Sequence, residues 1–139
     1  MKRWATVIFL VAVLTAGCSQ GKPKVSEIQM DQVSKTVKTF IEQMEEMDHT
    51  ADTGIYMFND SNGVRYLYVN QVFLDEGKGF GGVQVERNGD SLEIYLEEAP
   101  AAEQETDAYK LYTIKAPGDY EYVKVFKNGE DTHFSAIGA

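Results

Sequence analysis

The chain has 139 residues, a formal net charge of −9 and one cysteine, with 43% of its residues hydrophobic. That length suits one domain with a core of its own, and the lone cysteine excludes an internal disulfide framework. An acidic field of this size repels nucleic acid and anionic headgroups, so nucleic acid is excluded as a partner.

Lys2 and Arg3 form a positive n-region, residues 4–14 an unbroken apolar h-region, and Thr15, Ala16 and Gly17 a run of small residues. This is the pattern of an export signal. About twelve apolar residues rise only ~18 Å, against ~30 Å of hydrocarbon, which is too short for a retained transmembrane helix. Leu14-Thr15-Ala16-Gly17-Cys18 resembles the lipobox of bacterial lipoproteins, although its leucine stands four residues before the cysteine rather than three. The resemblance implies that residues 1–17 are removed, that the Cys18 thiol takes a diacylglyceryl group, and that the protein stays on the cell membrane facing away from the cytoplasm. More than one acyl chain is what stable anchoring requires. Loss of Lys2 and Arg3 takes the net charge from −9 to near −11, and Trp4, the only tryptophan, leaves with them. No thiol then remains for catalysis or metal binding.

Residues 18–25 hold Gly21 and Pro23 and read as a polar tether, leaving residues 26–139 as a single domain. Ser26 with Gln29 gives a capping-box pattern, and Met30, Val33, Val37, Phe40, Met44 and Met47 then recur at steps of three and four. The spacing predicts an amphipathic helix over 27–47, with Lys35, Lys38, Glu42, Glu45 and Glu46 on its wet face. The same spacing fits a coiled-coil seam, but it lasts under about three heptads, so packing on a sheet is the reading taken.

From Ile55 onward the pattern is β. Residues 55–59 and 64–70 flank Asp60-Ser61-Asn62-Gly63 and predict a hairpin; residues 71–74 either continue that strand or open another. Val83 and Val85 alternate with Gln84 and Glu86, and Leu92, Ile94 and Leu96 with Glu93, Tyr95 and Glu97, around the turn 87–90. This is a second hairpin. Residues 98–107 read as a mobile acidic loop, 109–115 and 120–127 as strands around the turn 116–119, and residues near 132–136 as a terminal strand after Asn128-Gly129. The expected fold is α+β, one N-terminal amphipathic helix packed on an antiparallel sheet of about six to seven strands.

Gly77-Lys78-Gly79-Phe80-Gly81-Gly82 matches the G-x-G-x-x-G pattern of dinucleotide sites. That motif works only where the glycines open a helix after a strand, and here a strand follows them, so a bend or bulge is expected. Nucleophilic catalysis needs a base beside a nucleophile, and the mature chain offers only His49 and His133. Asp48, His49 and Asp52 follow no metal-ligand spacing; Glu97, Glu98, Glu103, Glu105 and Asp107 lack the alternation and glycine of a calcium loop. No enzyme, cofactor or metal is expected from these residues.

The tyrosines are the remaining feature, all on or beside predicted strands, and tyrosine suits recognition surfaces as well as cross-strand pairing. Tyr66, Tyr68, Tyr95 and Tyr112 are the candidate binding face. The segment from Gly79-Phe80-Gly81-Gly82-Val83 through Leu92-Glu93-Ile94-Tyr95-Leu96 and Pro100 to Tyr109-Lys110-Leu111-Tyr112-Thr113-Ile114 resembles the small β domain of protease-complex accessory lipoproteins of the PrcB type. The resemblance implies a non-catalytic accessory role toward a surface protease. The expectation is thus a lipid-anchored domain that binds another envelope protein without catalysis; a small-ligand or Ca²⁺ binder is the alternative.

Overall fold

Strands that are apolar on both faces must be covered on both, and three strands of this chain are of that kind. A computed structural model describes residues 22–47, 52–101 and 107–138. Its elements are β1 (Lys24–Glu27), α1 (Lys35–Glu46), β2 (Ile55–Asn59), β3 (Arg65–Asn70), β4 (Lys78–Asn88), β5 (Ser91–Pro100), β6 (Tyr109–Lys115), β7 (Tyr122–Lys127), β8 (Glu130–Thr132) and β9 (Ala136–Gly138). Two 3-10 turns, Met30–Gln32 and Gln71–Phe73, join them. The strands form a five-stranded sheet in the order β1-β6-β3-β2-β9 and a four-stranded sheet in the order β4-β5-β7-β8.

The five-stranded sheet is the middle of three layers. Alternation along β2, β3 and β6 sends Ile55, Met57, Leu67, Val69, Tyr112 and Ile114 toward the second sheet, where they meet Leu92, Ile94, Leu96 and Val125. Their neighbours Tyr56, Phe58, Tyr68 and Leu111 face the other way and pack under Val33, Val37 and Ile41. One helix and one sheet therefore close the two sides of a shared layer.

The two expected hairpins are present. Tyr56 pairs with Tyr68 across β2 and β3, and Val85 with Ile94 across β4 and β5. The glycine-rich stretch enters β4 through a register shift between Phe80 and Val83. A Cβ at Gly81 would lie 2.5 Å from the Glu97 carbonyl oxygen, so this bulge requires glycine for close approach of the two strands.

Three expectations are corrected. The sheet is not one antiparallel unit: there are two, and β5 pairs parallel with β7, as β2 does with β9. The chain leaves β5 for β6 in the other sheet before returning as β7, and that detour lets β7 run in the same direction as β5. Second, the helix begins at Lys35, not at residue 27. Ser26 lies in β1, paired with Thr113, so Lys24 and Val25, expected in the tether, are strand residues as well. The N-cap is Ser34, whose Oγ accepts from the Val37 amide at 3.4 Å. Met30 and Val33 pack on the same cluster as Val37 and Ile41, one from a 3-10 turn and one from extended chain, which is why the apolar spacing reads as a single helix. Third, the C-terminal strand is two short ones, β8 and β9, each on an edge of a different sheet.

The capping assignment gives opposite expectations for two serines. Ser34→Ala should lower unfolding stability by about 1 kcal/mol, the usual loss of an N-cap, whereas Ser26→Ala on the exposed edge strand should stay within about 0.5 kcal/mol. Urea melts of the two variants decide between Ser34 and Ser26 as the cap. Gly54 has φ +77°, and a Cβ there would lie 2.4 Å from the Phe73 amide nitrogen and 2.6 Å from Asn70 Oδ1. Because both the dihedral and the backbone contact oppose a side chain, Gly54→Ala should cost at least ~2 kcal/mol in the same assay.

Candidate functional site

The middle layer has no free face, and α1 covers the far side of the five-stranded sheet. The outer face of the four-stranded sheet is different. The alternation that buries Leu92, Ile94 and Leu96 on β5 turns Glu93 and Tyr95 outward. Opposite them on β4 stand Glu86 and Gln84, on β7 Lys124 and Phe126, and Asp131 on β8 faces Phe126. The Tyr95 and Phe126 rings stack with centroids 4.8 Å apart and planes inclined by 10°. Neither ring belongs to either core cluster, and Tyr122 at the start of β7 is 54% exposed.

The electrostatics of this face centre on Glu93. Its carboxylate accepts from the Tyr95 hydroxyl, and that bond, followed by one from the Asn88 side chain, holds it below the usual carboxylate range. The same bond raises the Tyr95 hydroxyl above the ordinary tyrosine range. Glu93 is thus a fixed anion, only 6% exposed, between Glu86 on one side and Lys124 on the other. With Asp131 and the exposed Glu97 the face carries four carboxylates against one ammonium, around a rigid aromatic pair. Such a surface can receive a cationic side chain by charge and over the ring face.

The four tyrosines of the expected binding face do not share a surface. Tyr112 lies between the sheets. Tyr68 is buried under α1, its hydroxyl donating to Glu45. Tyr66 packs against that same cluster, so only Tyr95 reaches the open face. Sequence alternation assigns Tyr66 and Tyr68 to one side of a strand but cannot say that a helix lies on it. Tyr122 and Phe126 were absent from the expected set, yet they alternate with Val123 and Val125, which both meet the core.

Asp52 accepts from the Tyr56 hydroxyl at 2.9 Å, while Asp48 and His49 lie outside the described residues. His133 is exposed, its carbonyl accepting from Thr53 Oγ1 at 2.7 Å. Residues 102–106 of the acidic loop, with Glu103 and Glu105, also lie outside the described residues, as does Cys18. Glu97 is exposed, and Asp107 pairs with Lys110 at 2.8 Å. Glu98 and Asp75 meet, but the position between them holds the Lys127 ammonium, 3.1 Å from Asp75 and 3.8 Å from Glu98, which also donates to the Phe73 carbonyl. Among the described residues no group of three His, Cys, Asp or Glu could hold a metal ion. Compared with family models, with curated proteins and with solved structures, the chain matches none.

Burial, and then the hydrogen bond to Asp52, pushes the Tyr56 hydroxyl up to about 12. Unfolded tyrosine ionises near pH ~10, so the unfolded chain loses this proton first as pH rises. The contribution of Tyr56 is complete below pH ~10 and is lost as the pH climbs toward about 12. Tyr68, raised by burial and by Glu45, acts in the same direction. Unfolding stability should therefore fall steeply across that alkaline window, and less steeply in Tyr56→Phe; parallel slopes for the two proteins would contradict the assignment.

Proposed function

We propose that this protein is a non-enzymatic, lipid-anchored domain on the outer side of the bacterial cell membrane, which docks another envelope protein. The docking surface is the outer face of the four-stranded sheet, and the partner presents lysine or arginine to it. The observation that carries this reading is the stacked Tyr95–Phe126 pair, left outside both cores and framed by Glu86, Glu93 and Asp131. Rigid aromatic side chains at the centre of a patch, with charges around them, are what interface hot spots are made of. The anchor rests on the lipobox resemblance at Cys18; among the described residues no helix is long and apolar enough to cross a membrane.

In-cell crosslinking of the full-length tagged protein, followed by solubilisation and identification of what is attached, tests the docking face. The wild type should recover one envelope protein reproducibly. The double variant Tyr95→Ala/Phe126→Ala, present at equal abundance and with an unchanged melting profile, should recover at least ~10-fold less, the scale of a hot-spot loss. Glu86→Lys with Asp131→Lys should lose it too, and added salt should weaken wild-type capture. Undiminished recovery with both double variants would remove this face from the interaction.

The anchor is tested separately by fractionation. Cys18→Ser should move the protein from the membrane pellet to the soluble extracytoplasmic fraction or leave it unprocessed. A variant that is processed and still sediments with membranes would show that another segment anchors the chain.

A further inference from the structure

The chain is strongly acidic, yet its cations are unevenly placed. At one end of the five-stranded sheet β1 begins, β3 begins and β6 ends, and there Lys24 on β1 stands directly opposite Lys115 on β6. Their neighbours Val25 and Ile114 pack into the inter-sheet core, so alternation turns both lysines to the helix side of the sheet, where they are exposed. Lys22, two residues before Lys24, is exposed as well. Like charges facing each other across a strand pair are unfavourable, and among the described residues none of these three lysines pairs with a carboxylate.

Lysines at the far ends of the strands are neutralised within the protein. Lys110, near the start of β6, is shared by Glu27 at 3.1 Å and Asp107 at 2.8 Å, and Lys127, at the end of β7, pairs with Asp75 at 3.1 Å. The acidic residues near Lys24 and Lys115 lie apart from them. Asp90, Asp119 and Glu121 belong to the loops of the other sheet, where the Asp119 carbonyl accepts from Arg87 at 3.3 Å and the Asp90 carbonyl from the Glu121 amide at 2.8 Å. Asp60 sits in the β2–β3 turn with its amide on the Val64 carbonyl at 2.9 Å, and the register of Arg65 with Ile114 puts Val64 between it and Lys115. The chain also enters the fold at this end. At no more than ~3.6 Å per residue, the span from Cys18 to Lys24 reaches at most ~22 Å, so a lipid on Cys18 keeps the start of β1 against the bilayer.

We infer that this end of the fold rests on the anionic lipid surface of the membrane that anchors it, with Lys22, Lys24 and Lys115 on headgroup phosphates. The inference rests on the anchor at Cys18. The overall negative charge does not oppose it, because salt screens exposed charges beyond about 8 to 10 Å. The strand from Lys110 to Lys115 alone spans ~17 Å, so the carboxylates of the far end lie outside that range. Lipid phosphate supplies the counter-charge that the Lys24 and Lys115 pair lacks within the protein. With this end down, the strands rise from the bilayer and the Tyr95 and Phe126 face looks along it, toward a neighbour in the same membrane.

The test uses the full-length, lipidated protein on vesicles of phosphatidylcholine, alone or mixed with phosphatidylglycerol; flotation is followed by lysine acetylation read by mass spectrometry. Lys22, Lys24 and Lys115 should react at least ~3-fold more slowly on the vesicles that contain phosphatidylglycerol, and added salt should restore their rates. Lys78, at the start of β4, and Lys124, on the docking face, should react alike on both. In Lys24→Gln/Lys115→Gln, which removes the opposed charges and should fold at least as stably, the lipid dependence at Lys22 should disappear while the protein still floats. Equal rates at all three lysines on both kinds of vesicle, in protein that floats, would overturn the lipid contact and leave the anchor standing. Slowing that extends equally to Lys78 and Lys124 would overturn the oriented contact. Protein absent from the floating fraction would overturn the anchor itself, and the contact with it.

Discussion

Everything in this fold depends on one layer being apolar on both sides. β2, β3 and β6 each alternate two sets of buried residues, so the helix and the four-stranded sheet contact the same strands without contacting each other's core. The requirement explains why tyrosine is so common in these strands. Tyr56 and Tyr68 fill the space under α1 with large rings while their hydroxyls reach Asp52 and Glu45 at its rim, so the polar tip of each is satisfied without opening the layer. A buried ring 6.0 Å from its neighbour and another 5.3 Å further on, from Tyr56 to Tyr68 to Tyr109, form a continuous aromatic row beneath the helix. Removing one ring leaves a cavity in a layer that has no solvent side to relax toward.

The same constraint governs the chain path. A sheet buried on both faces cannot be built from consecutive hairpins alone, because the second sheet must be laid over it from the same chain. The chain therefore crosses between layers after β3, after β5, after β6 and after β8, and the parallel pairs β5–β7 and β2–β9 follow from those crossings. Such pairings join residues far apart in sequence, and their loop-closure entropy must be met before they contribute stability. Close approaches fall to glycine: Gly54 against the Gln71–Phe73 turn, and Gly138 at the end of β9 against the Phe40 ring, 2.5 Å from where a Cβ would stand.

Local pattern was legible where one local signal had one physical cause. The Val83–Leu96 hairpin has a buried face and a wet face, and its alternation predicts both strands and the turn between them. The bulge at Gly81 is legible too, because glycines before a strand have few other uses. The helix start was not, since Met30 and Val33 continue the helical spacing while lying in other conformations; contact with one shared cluster imitates periodicity. The layer count was hidden for a related reason. Residues 55–58 and 66–69 are apolar at every position, and a continuous apolar strand does not say what covers each side. The candidate tyrosine face failed on that ambiguity alone, with Tyr95 kept and Tyr66, Tyr68 and Tyr112 drawn inward.

The surface then divides by strand alternation into two chemistries. On β4, Glu86 points to the open outer face beside Glu93, while the next residue, Arg87, points to the opposite side and stacks on Tyr120. One strand thus contributes a carboxylate to a flat aromatic patch and a guanidinium to the end of the inter-sheet space. In a chain this acidic carboxylates are abundant, and only a few, Glu93 among them, are buried in fixed positions. Arg65 and Arg87 are both held by the Tyr120 ring, and Arg87 also by the Asp119 carbonyl, with no ion pair to either among the described residues. A rigid aromatic pair ringed by charges suits a macromolecular partner.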